Sequence, residues 1–176
     1  MTAHDPSRRE FAHGLTLATI GVALGVGPSR QHDADVSRDA EAIHQVIHFK
    51  VPPARVYNTL MDAREFLAIM KFSTVPNAPL PTIEANAGGA FALFGGHILG
   101  RQIELAPDTR VVQAWRTSGW PVGLYSIARF ELAAAAGGGT KLTFDHTGFP
   151  KGDGAHLASG WYLNYWTPME KHFAGR

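Results

Sequence analysis

The pattern of apolar residues changes from helical spacing to alternation near residue 82, and this change limits the folds open to the chain. Before it, Val56, Leu60 and Met61 recur at the spacing of a helix face. After it, apolar and polar residues alternate in short runs that glycine and proline separate. Such runs predict consecutive antiparallel strands, at about residues 82–86, 89–94, 97–105, 110–117, 123–133 and 140–147.

An earlier alternating segment at residues 43–51 predicts one more strand, with one apolar face. Pro52-Pro53 ends this strand, and a proline is compatible with the first turn of the helix that follows. Asp62 can cap a second short helix. Three prolines within residues 76–81 then predict an extended loop before the later strands.

The end of the chain returns to helical spacing. Its large apolar residues fall on one broad face, namely Leu157, Trp161, Tyr165, Met169 and Phe173. Asp153 can cap this helix, and Pro168 should kink or split it because proline lacks the backbone N–H of one helical hydrogen bond. We predict that residues from about 156 to 173 are mainly helical.

Residues 1–42 differ in character from the rest, so we treat residues 43–176 as the folded domain. Ser7-Arg8-Arg9-Glu10-Phe11 precedes a weakly apolar run at 14–27, an order that resembles the twin-arginine export signal of bacterial proteins. The run is too short and too rich in glycine for a stable membrane span. The resemblance implies a periplasmic or exported protein. The alternative is an amphipathic or disordered extension on a cytoplasmic protein.

Several motifs resemble those of one known superfamily. They are Val51-Pro52-Pro53-Ala54-Arg55-Val56-Tyr57, Gly88-Gly89-Ala90-Phe91, Val111 through Trp115-Arg116, His146-Thr147-Gly148-Phe149-Pro150 and Gly160-Trp161. In this order they are similar to the SRPBCC superfamily of START-like and birch-pollen-allergen-like proteins, in the branch named for the activator of heat-shock-protein ATPase. The resemblance covers about residues 43–174.

This resemblance implies an α+β domain with the helix-grip fold. In that fold a curved antiparallel sheet wraps around a long C-terminal helix, and two short helices follow the first strand. The gap between sheet and helix is expected to enclose an apolar cavity. Chaperone activation belongs to a minority of the relatives and is not carried over, because a shared fold does not supply a function.

The residues expected to line this cavity are large and apolar. From the sheet they are Phe91, Leu93, Trp115, Phe130, Leu142 and Phe144; from the last helix Trp161, Tyr165 and Met169; and from the short helices Phe66 and Met70. The same side chains could instead form a dry core, since aromatic stripes commonly pack against one another.

Polar residues within the predicted cavity would orient a ligand. His146 and Gln113 share strand parity with apolar neighbours, so we expect them to point inward. Arg101 shares parity with the apolar residues two and four positions later, which predicts an inward side chain unless a bulge at Gly100 reverses it. Tyr125 follows a turn and should lie near the cavity mouth.

Composition and spacing argue against several other functions. A formal net charge of +1 does not favour nucleic-acid binding, and the absence of cysteine excludes thiol chemistry. His44 and His48 share a strand face, but four residues place them about 13 Å apart, too far to ligate one metal ion. The glycine pairs and triplet lack the context of phosphate-binding or dinucleotide-binding loops, so no cofactor is predicted.

The leading interpretation is non-enzymatic binding of a small hydrophobic molecule, by a carrier, sensor or sequestering protein. One alternative is an enzyme of the same fold that uses His146 as acid or base, with Tyr125 as a further catalytic candidate. Another is a protein-interaction module whose partner the sequence does not identify.

Overall fold

The computed structural model describes residues 41–175, which form a seven-stranded antiparallel sheet and a set of helices. The strands are β1 Ala42–Phe49, β2 Thr82–Ile83, β3 Ala90–Leu93, β4 Ile98–Ala106, β5 Arg110–Thr117, β6 Ser126–Ala135 and β7 Gly139–Thr147. Their order across the sheet is β1-β7-β6-β5-β4-β3-β2. The predicted meander of six strands is confirmed, and β1 pairs antiparallel with β7 as expected.

Two short helices follow β1, and a longer helical segment ends the domain. They are α1 Pro53–Met61 and α2 Ala63–Met70, followed at the end by α3 Gly154–Trp161, a π-helical turn Tyr162–Trp166 and α4 Thr167–Ala174. This arrangement is the helix-grip fold. The hydrophobic core lies between the sheet and the C-terminal helical segment, with side chains of α1 and α2 completing it.

Local sequence signals explain where the first helices begin. Pro53 occupies the first turn of α1. A backbone N–H at this position has no acceptor within the helix, so proline costs no helical hydrogen bond there. Asp62 caps α2 as predicted, because its carboxylate accepts hydrogen bonds from the backbone N–H groups of Arg64 and Glu65.

The C-terminal helical segment differs from its prediction in one respect and agrees in another. Asp153 stands at the N-terminus of α3, but its side chain makes no capping hydrogen bond. It accepts instead from the indole N–H of Trp120 at 2.8 Å, so the predicted capping role is wrong. Residues 156–173 are helical as predicted, and Pro168 does not split the segment, because a π-helical turn ends just before Thr167 and Pro168 begin α4.

The inward direction predicted for Arg101 is wrong. Arg101 is exposed and donates to the carbonyl of Gly88 at 2.9 Å, whereas Gln102 is buried. The cause is a register shift between Gln102 and Glu104, where β4 gains one residue relative to β5. The prediction assigned faces by counting back from Leu105. Because the extra residue of the bulge shifts this count by one, each residue of β4 before the bulge was assigned to the wrong face.

The predicted export segment lies outside the described residues, and its interpretation stays a prediction. Within residues 41–175, no helix combines the length and apolar character needed to cross a membrane.

Candidate functional site

The gap between the sheet and the C-terminal helical segment is filled mainly by aromatic rings. Trp161 stands at the centre of this packing, with ring centroids 4.3 Å from Phe144 and 4.3 Å from Tyr165. Phe130 also contacts Phe144, at 5.0 Å between centroids. Rings at such separations leave little room for a ligand between them.

One small void remains inside this packing, and we call it the inner chamber. Its volume is about 10 Å³. The residues that line it are Leu60, Phe66, Ile83, Phe91, Leu93, Gln102, Gln113, Phe130 and Tyr165. The volume corresponds to about one water molecule, so the expected ligand-sized interior cavity is absent at this place.

A larger space, which we call the outer cleft, lies where the C-terminal helical segment meets the ends of β4 and β5 and two loops. Its volume is about 220 Å³. The lining residues are Thr74, Val75, Phe94, His97, Ile98, Trp115, Thr117, His156, Leu157, Gly160, Trp161, Asn164 and Tyr165. The loop after α2 is held against the helix because both the backbone N–H and the hydroxyl of Thr74 donate to the Asn164 side-chain oxygen, at 3.1 and 2.6 Å.

The structure divides the residues predicted to line a cavity into four groups. Trp115, Trp161 and Tyr165 line the outer cleft. Phe66, Phe91, Leu93, Gln113, Phe130 and again Tyr165 line the inner chamber. Met70, Leu142, Phe144, His146 and Met169 are buried in the core and line neither space. Arg101 and Tyr125 are exposed and lie outside both linings.

Most of the outer cleft was missed by sequence reasoning. Val75 belongs to no periodic pattern that would predict which way it points, and His97, predicted to begin a strand, lies in the turn before β4. Gly160 gave a signal that could have been used, since a glycine on the apolar face of a helix leaves space. A Cβ at Gly160 would meet no atom within 4 Å.

His146 is fully buried and sits in a hydrogen-bonded network. The indole N–H of Trp161 donates to its Nδ1 at 3.1 Å, and its Nε2 lies 2.7 Å from the hydroxyl of Ser126. That hydroxyl donates to the carbonyl of Trp115 at 2.9 Å. Because Nδ1 accepts a hydrogen bond, the proton of the neutral ring is on Nε2, which donates to Ser126. This tautomer cannot take a proton from the Ser126 hydroxyl.

Burial also controls the charge of this histidine. Desolvation lowers the pKa of the His146 imidazole from 6.5 to about 3, so the ring is neutral at neutral pH. Both ring nitrogens are already engaged, and the side chain does not line the outer cleft. The arrangement therefore fits a structural role better than the predicted role as acid or base.

The second catalytic candidate, Tyr125, is exposed, whereas His146 is fully buried. Its side chain is 45% exposed, and the guanidinium of Arg116 stands 5.7 Å from its ring centroid. This contact is a cation–π interaction between a buried arginine and a half-exposed tyrosine. Tyr125 therefore does not border the mouth of either space, contrary to the expectation from its position after a turn.

Two polar atoms lie at the boundary between the outer cleft and the core. They are the indole N–H of Trp115 and the hydroxyl of Tyr165, which lie beside each other and lack a well-aligned hydrogen-bond partner in the described part of the chain. Burial raises the pKa of the Tyr165 hydroxyl, which keeps this group protonated. It is thus available as a donor.

No group of three or more histidine, aspartate or glutamate side chains in residues 41–175 is placed to hold a metal ion. Two histidines, His97 and His156, line the outer cleft. Two imidazoles without a third ligand do not make a protein zinc site.

Comparison with known proteins adds the family to this geometry. The profile described as "Activator of Hsp90 ATPase homolog 1-like protein" matches residues 50–174. The chain belongs to this family. The matched range contains every residue that lines the inner chamber or the outer cleft.

Two curated relatives of the family carry related names. The mouse activator of 90 kDa heat shock protein ATPase homolog 2 is 33% identical over 109 residues, which cover 62% of this chain and 30% of the relative. The human homolog 1 is 27% identical over 180 residues, which cover 94% of this chain and 52% of the relative. The chain thus spans between 30% and 52% of the length of these two relatives.

Solved structures show the same fold. A Plasmodium falciparum protein described as an HSP90 activator has a TM-score of 0.65 at 22% identity, covering 76% of this chain and 96% of that chain. CalU16 from Micromonospora echinospora has a TM-score of 0.62 at 20% identity, covering 77% of each chain. At these identities the likeness establishes the fold alone.

Proposed function

We propose that this protein binds a small, flat and mainly apolar molecule in the outer cleft, as a carrier, sensor or sequestering protein. The observation that carries this proposal is the cleft itself, with about 220 Å³ of space beside an aromatic surface. Trp115, Trp161 and Phe94 are among the residues that form that surface. Aromatic side chains of this kind suit a planar ligand, which can stack on them or meet them edge to face.

The chemistry of the lining favours an uncharged ligand. Among the described residues that line the outer cleft there is no aspartate, glutamate, lysine or arginine to pair with a ligand charge. Polar groups are confined to side chains such as Asn164, His97 and Thr117, which can fix the orientation of a ligand through hydrogen bonds.

The volume limits the size of the ligand. Pockets for drug-sized molecules measure about 300–1,000 Å³. The outer cleft, at about 220 Å³, is below this range. A molecule with one ring or two fused rings is therefore the class that we expect.

A binding titration with 2-naphthol, an uncharged two-ring probe at neutral pH, tests this proposal. Binding beside Trp115 and Trp161 should change the tryptophan fluorescence saturably. The decisive variant is Gly160→Leu, because a side chain at this position enters open space in the cleft. We expect this variant to weaken probe binding at least tenfold.

Glu170→Leu is the matched control, since it places the same side chain on α4 at an exposed position outside the cleft. It should bind 2-naphthol like the parent protein. Saturable binding that Gly160→Leu leaves unchanged would locate the probe elsewhere and would contradict the proposed site. The absence of saturable binding by the parent protein would contradict the proposed function for this class of ligand.

The names of the relatives favour a second candidate, an activating contact with the chaperone Hsp90. In this case the protein should raise the rate of ATP hydrolysis by purified Hsp90 in a concentration-dependent manner. Gly160→Leu should leave this activation unchanged if the contact does not use the outer cleft. An unchanged rate of ATP hydrolysis would argue against this candidate and would not affect ligand binding.

A further inference from the structure

Tyr165 lies between the inner chamber and the outer cleft. Among the described residues, it alone lines both the outer cleft and the inner chamber. It belongs to the π-helical turn Tyr162–Trp166, a local form of helix that is often found at functional positions. Its ring packs against Phe66, Phe94 and Trp161, and its hydroxyl is buried.

The inner chamber is polar on one side, although it lies in an apolar core. Gln102 is 1% exposed, and its side-chain oxygen accepts from the Gln113 amide at 3.2 Å. The amide nitrogen of Gln102 is left without a hydrogen-bond partner in the described protein, and the Tyr165 hydroxyl has only the poorly aligned indole N–H of Trp115 beside it. A buried polar atom without a partner costs about 1–3 kcal/mol, so the free amide nitrogen of Gln102, a residue that lines this void, calls for an explanation.

We propose that the inner chamber is a binding site for a single oxygen atom, which accepts a hydrogen bond from the Gln102 amide and exchanges one with the Tyr165 hydroxyl. The volume of about 10 Å³ admits one atom of this size. The Gln113 amide, engaged with the Gln102 side-chain oxygen, fixes the orientation of the Gln102 amide. The site therefore presents a donor in a defined direction.

Two sources can supply this oxygen. One is a buried water molecule, which would bridge the sheet to the C-terminal helical segment. The other is the hydroxyl or carbonyl oxygen of a ligand in the outer cleft, which would reach the chamber past Tyr165. The second source rests on the function proposed above, whereas the first does not.

The water source is tested by nuclear magnetic resonance on the full chain. A long-lived water should give a nuclear Overhauser contact with the side-chain amide protons of Gln102. Tyr165→Phe keeps the ring and removes the hydroxyl, so this contact should weaken or disappear. The side-chain amide of the exposed Asn86 serves as the control, since only rapidly exchanging solvent should reach it.

The ligand source is tested with naphthalene and 2-naphthol, which differ by one oxygen. If the oxygen enters the inner chamber, the parent protein should prefer 2-naphthol by roughly two- to tenfold, the effect of one hydrogen bond. Gln102→Leu should reduce this preference toward onefold while naphthalene still binds, because Gln102 lines the chamber and not the cleft. Tyr165→Phe is the second variant should Gln102→Leu fail to fold.

The outcomes separate the two proposals. A water contact in the parent protein supports the oxygen site, with or without binding of either probe. A preference for 2-naphthol that depends on Gln102 supports the ligand as the source. The oxygen site is overturned if the parent protein shows no water contact and Gln102→Leu leaves the preference unchanged. Saturable binding of naphthalene would still uphold the function proposed for the outer cleft in that case.

Discussion

The inner chamber and the outer cleft border the same helical segment, but their volumes are about 10 and 220 Å³. The chamber is enclosed mainly by residues of strands and helices, whose side chains interdigitate in fixed directions. The cleft has loop residues such as Val75 and His97 on one side and Gly160 on the other. Of these two spaces, the larger thus lies where helix meets loop, and the smaller lies between helix and sheet.

The largest expected effect concerns the packed interior. Phe144 is fully buried and contacts Trp161, Trp166 and Phe130. Phe144→Ala should lower the free energy of unfolding by about 3–5 kcal/mol, since it creates a cavity in a close-packed core. Denaturant unfolding measures this loss. Val46→Ala, on the outer face of β1, is the control and should cost less than about 1 kcal/mol. Equal losses in the two variants would show that the interior is not packed as described.

The second effect depends on pH and arises from His146. The pKa of this histidine is 6.5 in the unfolded chain and about 3 in the folded protein. Between these two pH values the unfolded chain therefore binds more protons than the folded protein does. Stability conferred by the neutral ring should therefore be present above pH 6.5 and be lost as the pH falls toward 3. The slope contributed by one such group is at most about 1.4 kcal/mol per pH unit.

His146→Gln tests the origin of this slope, because glutamine can form hydrogen bonds but does not titrate. The variant should unfold more easily at pH 7 and lose less further stability between pH 6 and pH 4 than the parent protein. Urea unfolding at several pH values provides the comparison. The same slope in both proteins would assign the acid sensitivity to other groups.

The third effect compares the two spaces directly. The sequence predicts that Leu93 faces an open cavity, where a larger side chain would be tolerated. The structure places Leu93 at the inner chamber, which has no room for an indole. Leu93→Trp should therefore overpack the core and cost roughly 1–3 kcal/mol. A thermal unfolding curve that matches the parent protein would restore the original expectation of empty volume.

The smallest effect on stability is expected at the outer cleft. Gly160 lies within α3, and a Cβ there meets no other atom within 4 Å. Gly160→Ala should raise the free energy of unfolding by up to about 1 kcal/mol, because glycine is an unfavourable residue inside a helix. Thermal unfolding checks this prediction. A clear loss of stability would mean that the cleft is narrower than its volume indicates.

Much of the fold could be predicted from residue patterns. Alternation gave the buried face of β1, which carries Ile43, Gln45, Ile47 and Phe49. The turn residues separated the later strands correctly, although β2 is shorter than the predicted segment at 82–86. These features depend on local chemistry, in which the direction of each side chain follows from its position in the strand.

The prediction of the candidate site was poorer for a physical reason. A count along β4 cannot detect the bulge after Gln102, which depends on pairing with β5. The prediction that Asp153 caps α3 is wrong because its carboxylate accepts a hydrogen bond from the indole of Trp120, which is distant in sequence. Both errors arise from contacts between residues that only the folded chain brings together.

The sequence by itself determined the order of the strands and helices, the apolar faces that meet in the core and the identity of the aromatic residues. Only the tertiary structure decided whether those aromatics leave a cavity or fill the space. That outcome depends on the distance between sheet and helix and on the rotamers of facing rings. Periodicity determines which face a side chain points to, but the volume left between two faces is a property of the packed molecule.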